Sequence, residues 1–281
     1  MIVLLLWGLS DILVVLAVRR AGASAAFLLS QSIIVLLYLG AGLLIGMPSL
    51  TTTTALLVML GGILSLAGTL SFFKGLEQGV VSVLSPVAGC APLVTVATVL
   101  LFLGESLTAL QMAGAGIAVL GVLFSSFRKR DIFSLELKML ERGAAYGFIA
   151  LICWGLMFAL VDFLTPSLGW FYPLFLIKAA ALVLFMLYFT AQNGWQNMQW
   201  QRMAAHWVWI LLPLIGVLEF AGHLLYGYGV SIDQTALVAP IAFAYPALTV
   251  IIAHLLLRER LDGSQYAGVA MAVLGIVLIT V

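Results

Sequence analysis

Three residues that could do chemistry lie on one helical face of an otherwise apolar stretch, residues 207–230. Glu219, His223 and Tyr226 are spaced by four and then three residues, so an α-helix aligns them in one stripe. A carboxylate beside an imidazole can hold a proton or bind a polar solute. The stripe predicts either a ligand or proton site, or a pair in which Glu219 and His223 satisfy each other in the protein interior.

Two further ionisable residues, Asp11 and Lys178, stand in the middle of other apolar stretches. Each could contact a solute or a proton. The alternative is a structural ion pair of Lys178 with Asp11 or with Glu219. For a proton-coupled process, we expect Glu219 to hold the proton, with Asp11 as the second candidate.

The elements that position these residues must be membrane helices. Of the 281 residues, 64% are hydrophobic and only 8% are charged, whereas about a quarter are charged in a soluble domain. An ionisable group in the centre of a membrane helix costs about 2.5–3.5 kcal/mol or more, so it normally faces the protein interior or water. The net charge of +1 offers no basic face to nucleic acid. The sequence therefore predicts an all-α integral membrane protein with no nucleic-acid partner.

Ten apolar spans can be counted, because about 20 apolar residues of helix cross a bilayer. They run approximately over residues 2–18, 24–46, 55–76, 80–103, 107–127, 143–164, 170–191, 207–230, 235–257 and 264–281. We expect residues 1–127 and 143–281 to form two five-helix repeats, joined by a basic cytoplasmic linker at 128–142.

The second half of the chain repeats the first. Trp7-Gly8 recurs as Trp154-Gly155 at an offset of 147 residues, and later matches are 154 residues apart. These later matches pair Pro86, Pro92, Thr95, Glu105, Gln111, Gly114 and Gly121 with Pro240, Pro246, Thr249, Glu259, Gln265, Gly268 and Gly275. So many matches in register indicate an internal duplication. Since five spans is an odd number, the second copy enters the membrane from the opposite side, as in many secondary transporters with a site between their inverted halves.

The duplication places a second polar stripe opposite the first. Subtracting 154 from the span 8 stripe gives Ser65, Thr69 and Phe72 in span 3. Ser65 and Thr69 therefore join Asp11, Lys178, Glu219, His223 and Tyr226 as predicted substrate-binding residues.

Spans 4 and 9 each carry two prolines six residues apart, Pro86 with Pro92 and Pro240 with Pro246. Proline leaves carbonyls unpaired within a helix, which a membrane protein tolerates where they line a cavity. We expect helix breaks at a cavity lined by spans 1, 3, 4, 6, 8 and 9, the alternative being simple packing kinks.

Other features that recur in both copies are interpreted as structural. Glu105 and Glu259 precede spans 5 and 10, where a carboxylate favours the dipole of the helix that follows. Gly114-x-x-x-Ala118 and Gly268-x-x-x-Ala272 allow helices to approach closely, and these faces could pack within the chain or between protomers.

The basic residues predict the orientation. If loop n follows span n, ten of the twelve Lys and Arg residues fall in odd-numbered loops. An eleventh, Lys74, lies at the end of span 3 beside loop 3, and the twelfth, Lys178, lies in the middle of span 7. The positive-inside rule places the odd loops in the cytoplasm and both termini outside. The basic residues near the N-terminus follow the first apolar stretch instead of preceding it, which argues against a cleaved signal peptide.

No pattern typical of an enzyme is present in the sequence. The glycines lie within apolar helices, so no nucleotide-binding loop is predicted, and neither a His-Glu-x-x-His motif nor a nucleophile elbow occurs. Cys90 and Cys153 are isolated in apolar runs and have no metal-ligand spacing. We expect no enzyme activity, no metal and no cofactor.

The segment from Phe72 to Phe124 closely resembles the repeat of the EamA-type branch of the drug/metabolite transporter superfamily. The marks that carry the resemblance are Trp7-Gly8, Pro86, Pro92, the turn at Leu103–Glu105 and the glycine-rich helix that follows, each with a counterpart in the second copy. The resemblance covers nearly the whole chain and implies a ten-helix transporter of small organic solutes such as amino acids. Two features depart from that family. Gln31 and Lys178 stand where its members usually carry Arg, and we would have expected cytoplasmic termini.

Together these observations predict a secondary transporter, an exporter of small organic metabolites, that works by alternating access and could be coupled to protons. The expected setting is the inner or plasma membrane of the cell, where the chain would cross the bilayer several times as a monomer or homodimer. A membrane-embedded enzyme and a non-transporting membrane scaffold are the alternatives. An enzyme would cluster its polar groups near one interface, and a scaffold would have no reason to bury several ionisable residues.

Overall fold

The computed structural model of the chain describes residues 2–78, 81–126, 137–197, 206–248 and 263–280, and within these ranges it contains helices and no strands. Helices are numbered by membrane segment, so α4 denotes one helix in two pieces. They are α1 (Ile2–Ala21), α2 (Ala23–Gly42), α3 (Thr52–Glu77), α4 (Val81–Ala88 and Ala91–Thr98, then a π-helical turn at Val99–Leu103), α5 (Ala109–Ser126), α6 (Leu137–Leu168), α7 (Tyr172–Ala191), α8 (His206–Ile232), α9 (Thr235–Ala242, then 245–248) and α10 (Gly263–Thr280). A short helix, Gly194–Asn197, follows α7.

Eight helices in the described ranges are long and apolar enough to span a membrane, and α5 and α9 are shorter apolar helices. The predicted all-helical membrane fold is confirmed. The count of ten spans stays a prediction, because residues 249–262, where span 9 was expected to continue, lie outside the described ranges. α6 begins at Leu137 and not at residue 143, since the strong helix formers of residues 137–142 extend the helix into the predicted linker.

The two halves meet through contacts that occur twice. α3 packs on α6 where Gly68 lies against the indole of Trp154, and α1 packs on α8 where Gly222 lies against the indole of Trp7. A Cβ added at Gly68 would come within 2.8 Å of the Trp154 ring, and one at Gly222 would overlap the Trp7 ring. The two contacts correspond at the offsets of the sequence repeat, so the duplication is also present in the packing.

α5 and α10 cross with their backbones in contact at four glycines. A Cβ added at Gly114 would lie 2.9 Å from the carbonyl oxygen of Gly275, and one added at Gly275 would lie 2.6 Å from that of Gly114. Gly121 and Gly268 face each other in the same way, at 2.7 Å in both directions. These small-residue faces therefore pack on each other within one chain, and the alternative of a contact between protomers is wrong for these glycines.

α4 and α9 are broken at equivalent points, Gly89–Cys90 and Phe243–Ala244, each between the two prolines of its helix. Tighter turns satisfy part of the backbone there. The Cys90 N–H donates to the Val87 carbonyl at 3.1 Å, and the Ala244 N–H donates to the Ile241 carbonyl at 3.3 Å. The breaks occur in both halves, but their surroundings differ.

Candidate functional site

A cavity lies between the two halves near the middle of the helices. It contains about 680 Å³ of empty space, its open mouth included. Its walls are mostly aromatic and aliphatic, and its polar lining residues are Asp11, Ser30, Gln31, Thr69, Lys178, Glu219, His223 and Tyr245.

Five of the seven predicted substrate-binding residues meet at this cavity. Asp11 comes from α1, Thr69 from α3, Lys178 from α7, and Glu219 and His223 from α8. Lys178 and His223 are buried, whereas the side chain of Glu219 keeps 26% of its surface exposed. The cavity thus combines two carboxylates, one ammonium and one imidazole on an apolar wall. Their role in binding remains a prediction.

The other two predicted residues are buried beside the cavity and do not line it. Ser65 lies one turn along α3 from Thr69, and Tyr226 is fully buried, with its ring 5.8 Å from that of Trp7 and 4.6 Å from that of Phe158. The Tyr226 hydroxyl has no hydrogen-bond partner within the described residues.

The lining helices differ from those expected, because the broken helices are not equivalent. α9 presents Phe243 and Tyr245 to the cavity, whereas α4 contributes no lining residue among those described. The equivalent α4 residues are Gly89 and Ala91, which have almost no side chain to extend. Pro86, Pro92, Pro240 and Pro246 are likewise absent from the described lining, so cavity lining by α4 and by these prolines stays a prediction. α2 and α7 contribute instead, through Ser30, Gln31 and Lys178.

The cavity is displaced toward the odd-numbered loops. Phe72 and Phe73 line it near the end of α3 that leads into loop 3, but their equivalents Tyr226 and Gly227 do not line it. Ile215, near the start of α8 after loop 7, lines it, but its equivalent Gly61 does not. The space between the inverted halves therefore extends toward one face of the membrane, which we predict to be cytoplasmic.

Glu219 is held by a residue that the sequence did not single out. The Ser10 hydroxyl, fully buried on α1, donates to Oε1 of Glu219 at 2.8 Å. The bond joins α1 of the first half to α8 of the second. A lone serine in an apolar helix gives no periodic signal, so only the helix packing could reveal this contact.

His223 is oriented by its own helix. Its Nδ1 lies 2.6 Å from the carbonyl oxygen of Glu219 and 3.6 Å from Oε2 of the same residue. A carbonyl oxygen can only accept, so Nδ1 carries a hydrogen and donates it. The imidazole packs edge-on to Trp7, with ring centroids 5.4 Å apart, and stacks on Phe158 at 6.4 Å.

The two equivalent tryptophans of the halves, Trp7 and Trp154, differ in their hydrogen bonding. Nε1 of Trp154 donates to Oγ1 of Thr69 at 3.3 Å. The equivalent pair is Trp7 and His223, and here Nε1 of Trp7 is buried without a partner in the described residues, because the imidazole Nδ1 is directed at the Glu219 carbonyl. The same position thus carries a bonded indole in one half and an unbonded one in the other.

Comparison with known proteins assigns the chain to a family. It matches the EamA-like transporter family over residues 1–127 and 141–281. The chain belongs to the EamA-like transporter family. It is also similar to an uncharacterized transporter of Archaeoglobus fulgidus, with 24% identity over 231 residues, 80% of this chain and 76% of that protein. A protein of known crystal structure shares the fold, with a TM-score of 0.78 and 16% identity over 99% of this chain and 94% of that one.

This EamA-like transporter also joins its halves on the even-loop side. The two Glu105 carboxylate oxygens each accept a 2.8 Å hydrogen bond, from the backbone N–H groups of Thr235 and Ala236, at the start of α9. Asp162 of α6 accepts from the Thr235 hydroxyl at 2.8 Å. Glu105 therefore caps α9 of the other half, and the expected role at α5 is wrong for this residue; Glu259 lies outside the described residues.

Burial raises the pKa of the Glu105 carboxyl above its usual range. The hydrogen bonds from Ala236 and Thr235 oppose that rise, while the nearby carboxylates of Asp162 and Asp233 add to it. The contact between Glu105 and the start of α9 thus brings acidic groups together at the face whose loops carry no Lys or Arg. Together with the spanning helices, the family assignment makes the chain a multi-pass membrane transporter.

Proposed function

We propose that this protein is a secondary transporter that exports small organic metabolites, amino acids among them, by alternating access coupled to protons. The observation that carries the proposal is the cavity between the inverted halves, in which Asp11, Glu219 and Lys178 lie within reach of one solute. A carboxylate and an ammonium on an apolar wall suit a solute that has both a positive and a negative group.

The asymmetry of the cavity supports alternating access. Exchanging the conformations of two inverted halves would turn an opening on the odd-loop side into one on the even-loop side. The halves differ in the way that this exchange requires, since Phe72 lines the cavity and its equivalent Tyr226 does not. The contact from Glu105 to Thr235 and Ala236 holds the even-loop side together in the conformation described.

The first test is a ligand-stabilisation screen of the purified protein against amino acids, amines, nucleosides and organic acids. A solute at a hundred times its dissociation constant should stabilise the fold by about 2.7 kcal/mol. Lys178→Met should remove the stabilisation, because it deletes the cavity ammonium. Lys74→Met, an exposed lysine at the end of α3, is the matched control and should leave it intact.

Flux in reconstituted vesicles then tests transport itself. We expect a solute from the screen to exchange across the membrane and to accumulate against its gradient when a pH gradient is imposed. A solute that binds but is chemically converted would favour a membrane enzyme. A protein that neither binds nor moves any member of the panel would contradict the proposal.

A further inference from the structure

The charges that line the cavity do not balance. Asp11 and Glu219 are both carboxylates, and Lys178 is the one lysine or arginine among the described lining residues. Nδ1 of His223 already donates to a backbone carbonyl, and its ring is packed between Trp7 and Phe158, so a second positive charge there would be both desolvated and close to Lys178. Burying an uncompensated charge is costly, so one further positive charge is needed.

Of the two carboxylates, Glu219 has the surroundings that better support the ionised form. Ser10 donates to its Oε1 at 2.8 Å, and the ammonium of Lys178 attracts it electrostatically. A hydrogen bond to the charged form and an opposite charge nearby both favour the carboxylate. Ser10 is itself fully buried, so this donor is fixed in place.

Asp11 has no such hydrogen bond from the described residues, and of the charges that face it, that of Glu219 acts on it most strongly. No described residue donates a hydrogen bond to its carboxyl group, and Glu219 repels its charge. The titratable and charged groups that face it are Glu219 and His223 from α8, Lys178 from α7 and Tyr245 from α9. Two carboxylates that share a site seldom ionise together, and the less supported one keeps its proton.

We infer that Asp11 is the proton-binding residue of the cavity at neutral pH, and that Glu219, positioned by Ser10, is the fixed counter-ion of Lys178. The inference rests on the proposed transport cavity and reverses the order expected from sequence, in which Glu219 was the first candidate. Loss of the proton to water would leave an Asp11 carboxylate that can pair with a cationic group of a solute. The net charge of the cavity therefore stays the same when the cationic group replaces the proton.

The test uses the infrared C=O band of a protonated carboxyl group, recorded on the purified full chain at neutral pH without any solute. Protein is prepared with ¹³C in the aspartate carboxyl groups, or in the glutamate carboxyl groups, and the spectrum of Asp11→Asn is subtracted from that of the parent. We expect a protonated-carboxyl band that shifts with the aspartate label and not with the glutamate label. Asp162→Asn is the matched control and should keep that band.

Two further variants keep the test decisive if Asp11→Asn does not fold. Glu219→Gln should also remove the aspartate band, because Asp11 then becomes the counter-ion of Lys178. Lys178→Met should add a band that follows the glutamate label, since Glu219 loses its counter-charge.

The inference would be overturned if the band that is lost in Glu219→Gln shifted with the glutamate label. It would also be overturned if the parent protein showed no band that shifts with the aspartate label. These spectra need no solute. Failure of transport in vesicles would contradict the proposed function and leave the Asp11 assignment standing, and the reverse also holds.

Discussion

The crossing of α5 and α10 gives a direct test of the packing between the halves. A Cβ added at Gly121 would lie 2.7 Å from the Cα of Ala272 and 2.7 Å from the carbonyl oxygen of Gly268, both backbone atoms that cannot rotate away. Forcing extra volume into a packed interface costs about 1–3 kcal/mol. Gly116 lies on the same helix and has no atom within 4 Å of an added Cβ, so Gly116→Ala isolates the gain in helix propensity, about 1 kcal/mol.

Relative to Gly116→Ala, we therefore expect Gly121→Ala to be less stable by about 1–3 kcal/mol, because both variants share the propensity gain. At roughly 2–4 °C per kcal/mol for a chain of this order of size, the two melting temperatures should differ by roughly 2–12 °C. Tryptophan fluorescence during heating in detergent measures both. Equal melting temperatures for the two variants would show that the backbone contact between α5 and α10 is absent.

Three further predictions concern orientation, binding and the bridge between the halves. A reporter fused after Val281 should be extracytoplasmic, because the loop charges place the odd loops inside; activity only in the cytoplasm would reverse the orientation. Lys178→Met should abolish flux, and Lys178→Arg should fail to restore it, since a planar guanidinium does not replace a compact ammonium; full flux in Lys178→Met with lower stability would make this lysine structural. Glu105→Ala should lower stability by about 0.5–2 kcal/mol, because two N–H groups of α9 lose their acceptor, whereas Asp233→Ala at an exposed site should change it less; equal losses would contradict the capping role.

Periodicity predicted which residues share a face but not how deep each one lies. Glu219, His223 and Tyr226 do occupy neighbouring turns of α8, yet the third is covered by the rings of Trp7 and Phe158. A hydropathy pattern contains no information about where a cavity stops along the helix axis. The same limit explains Ser65, which shares a stripe with Thr69 but lies outside the lining.

The second limit on prediction from the sequence concerned contacts between residues that are far apart in the chain. The duplication predicted two inverted halves, and matched glycine–indole contacts follow from it. The bond from Ser10 to Glu219 has no equivalent in the other half, because Met157 and Ser65 occupy the matching positions, so symmetry could not predict it. Asymmetry between the copies is where a duplicated sequence gives least guidance.

The glycine crossing of α5 and α10 has the form of a homodimer interface. The contact of Gly114 with Gly275 maps, under the repeat, onto the contact of Gly268 with Gly121, and both are present. Such an isologous patch, in which each copy offers the same surface to the other, is what two identical subunits use around a twofold axis. A single five-helix chain inserted into the membrane in both orientations would make this contact with itself. The crossing of α5 and α10 therefore has, inside one polypeptide, the symmetry of the joint in an antiparallel dimer.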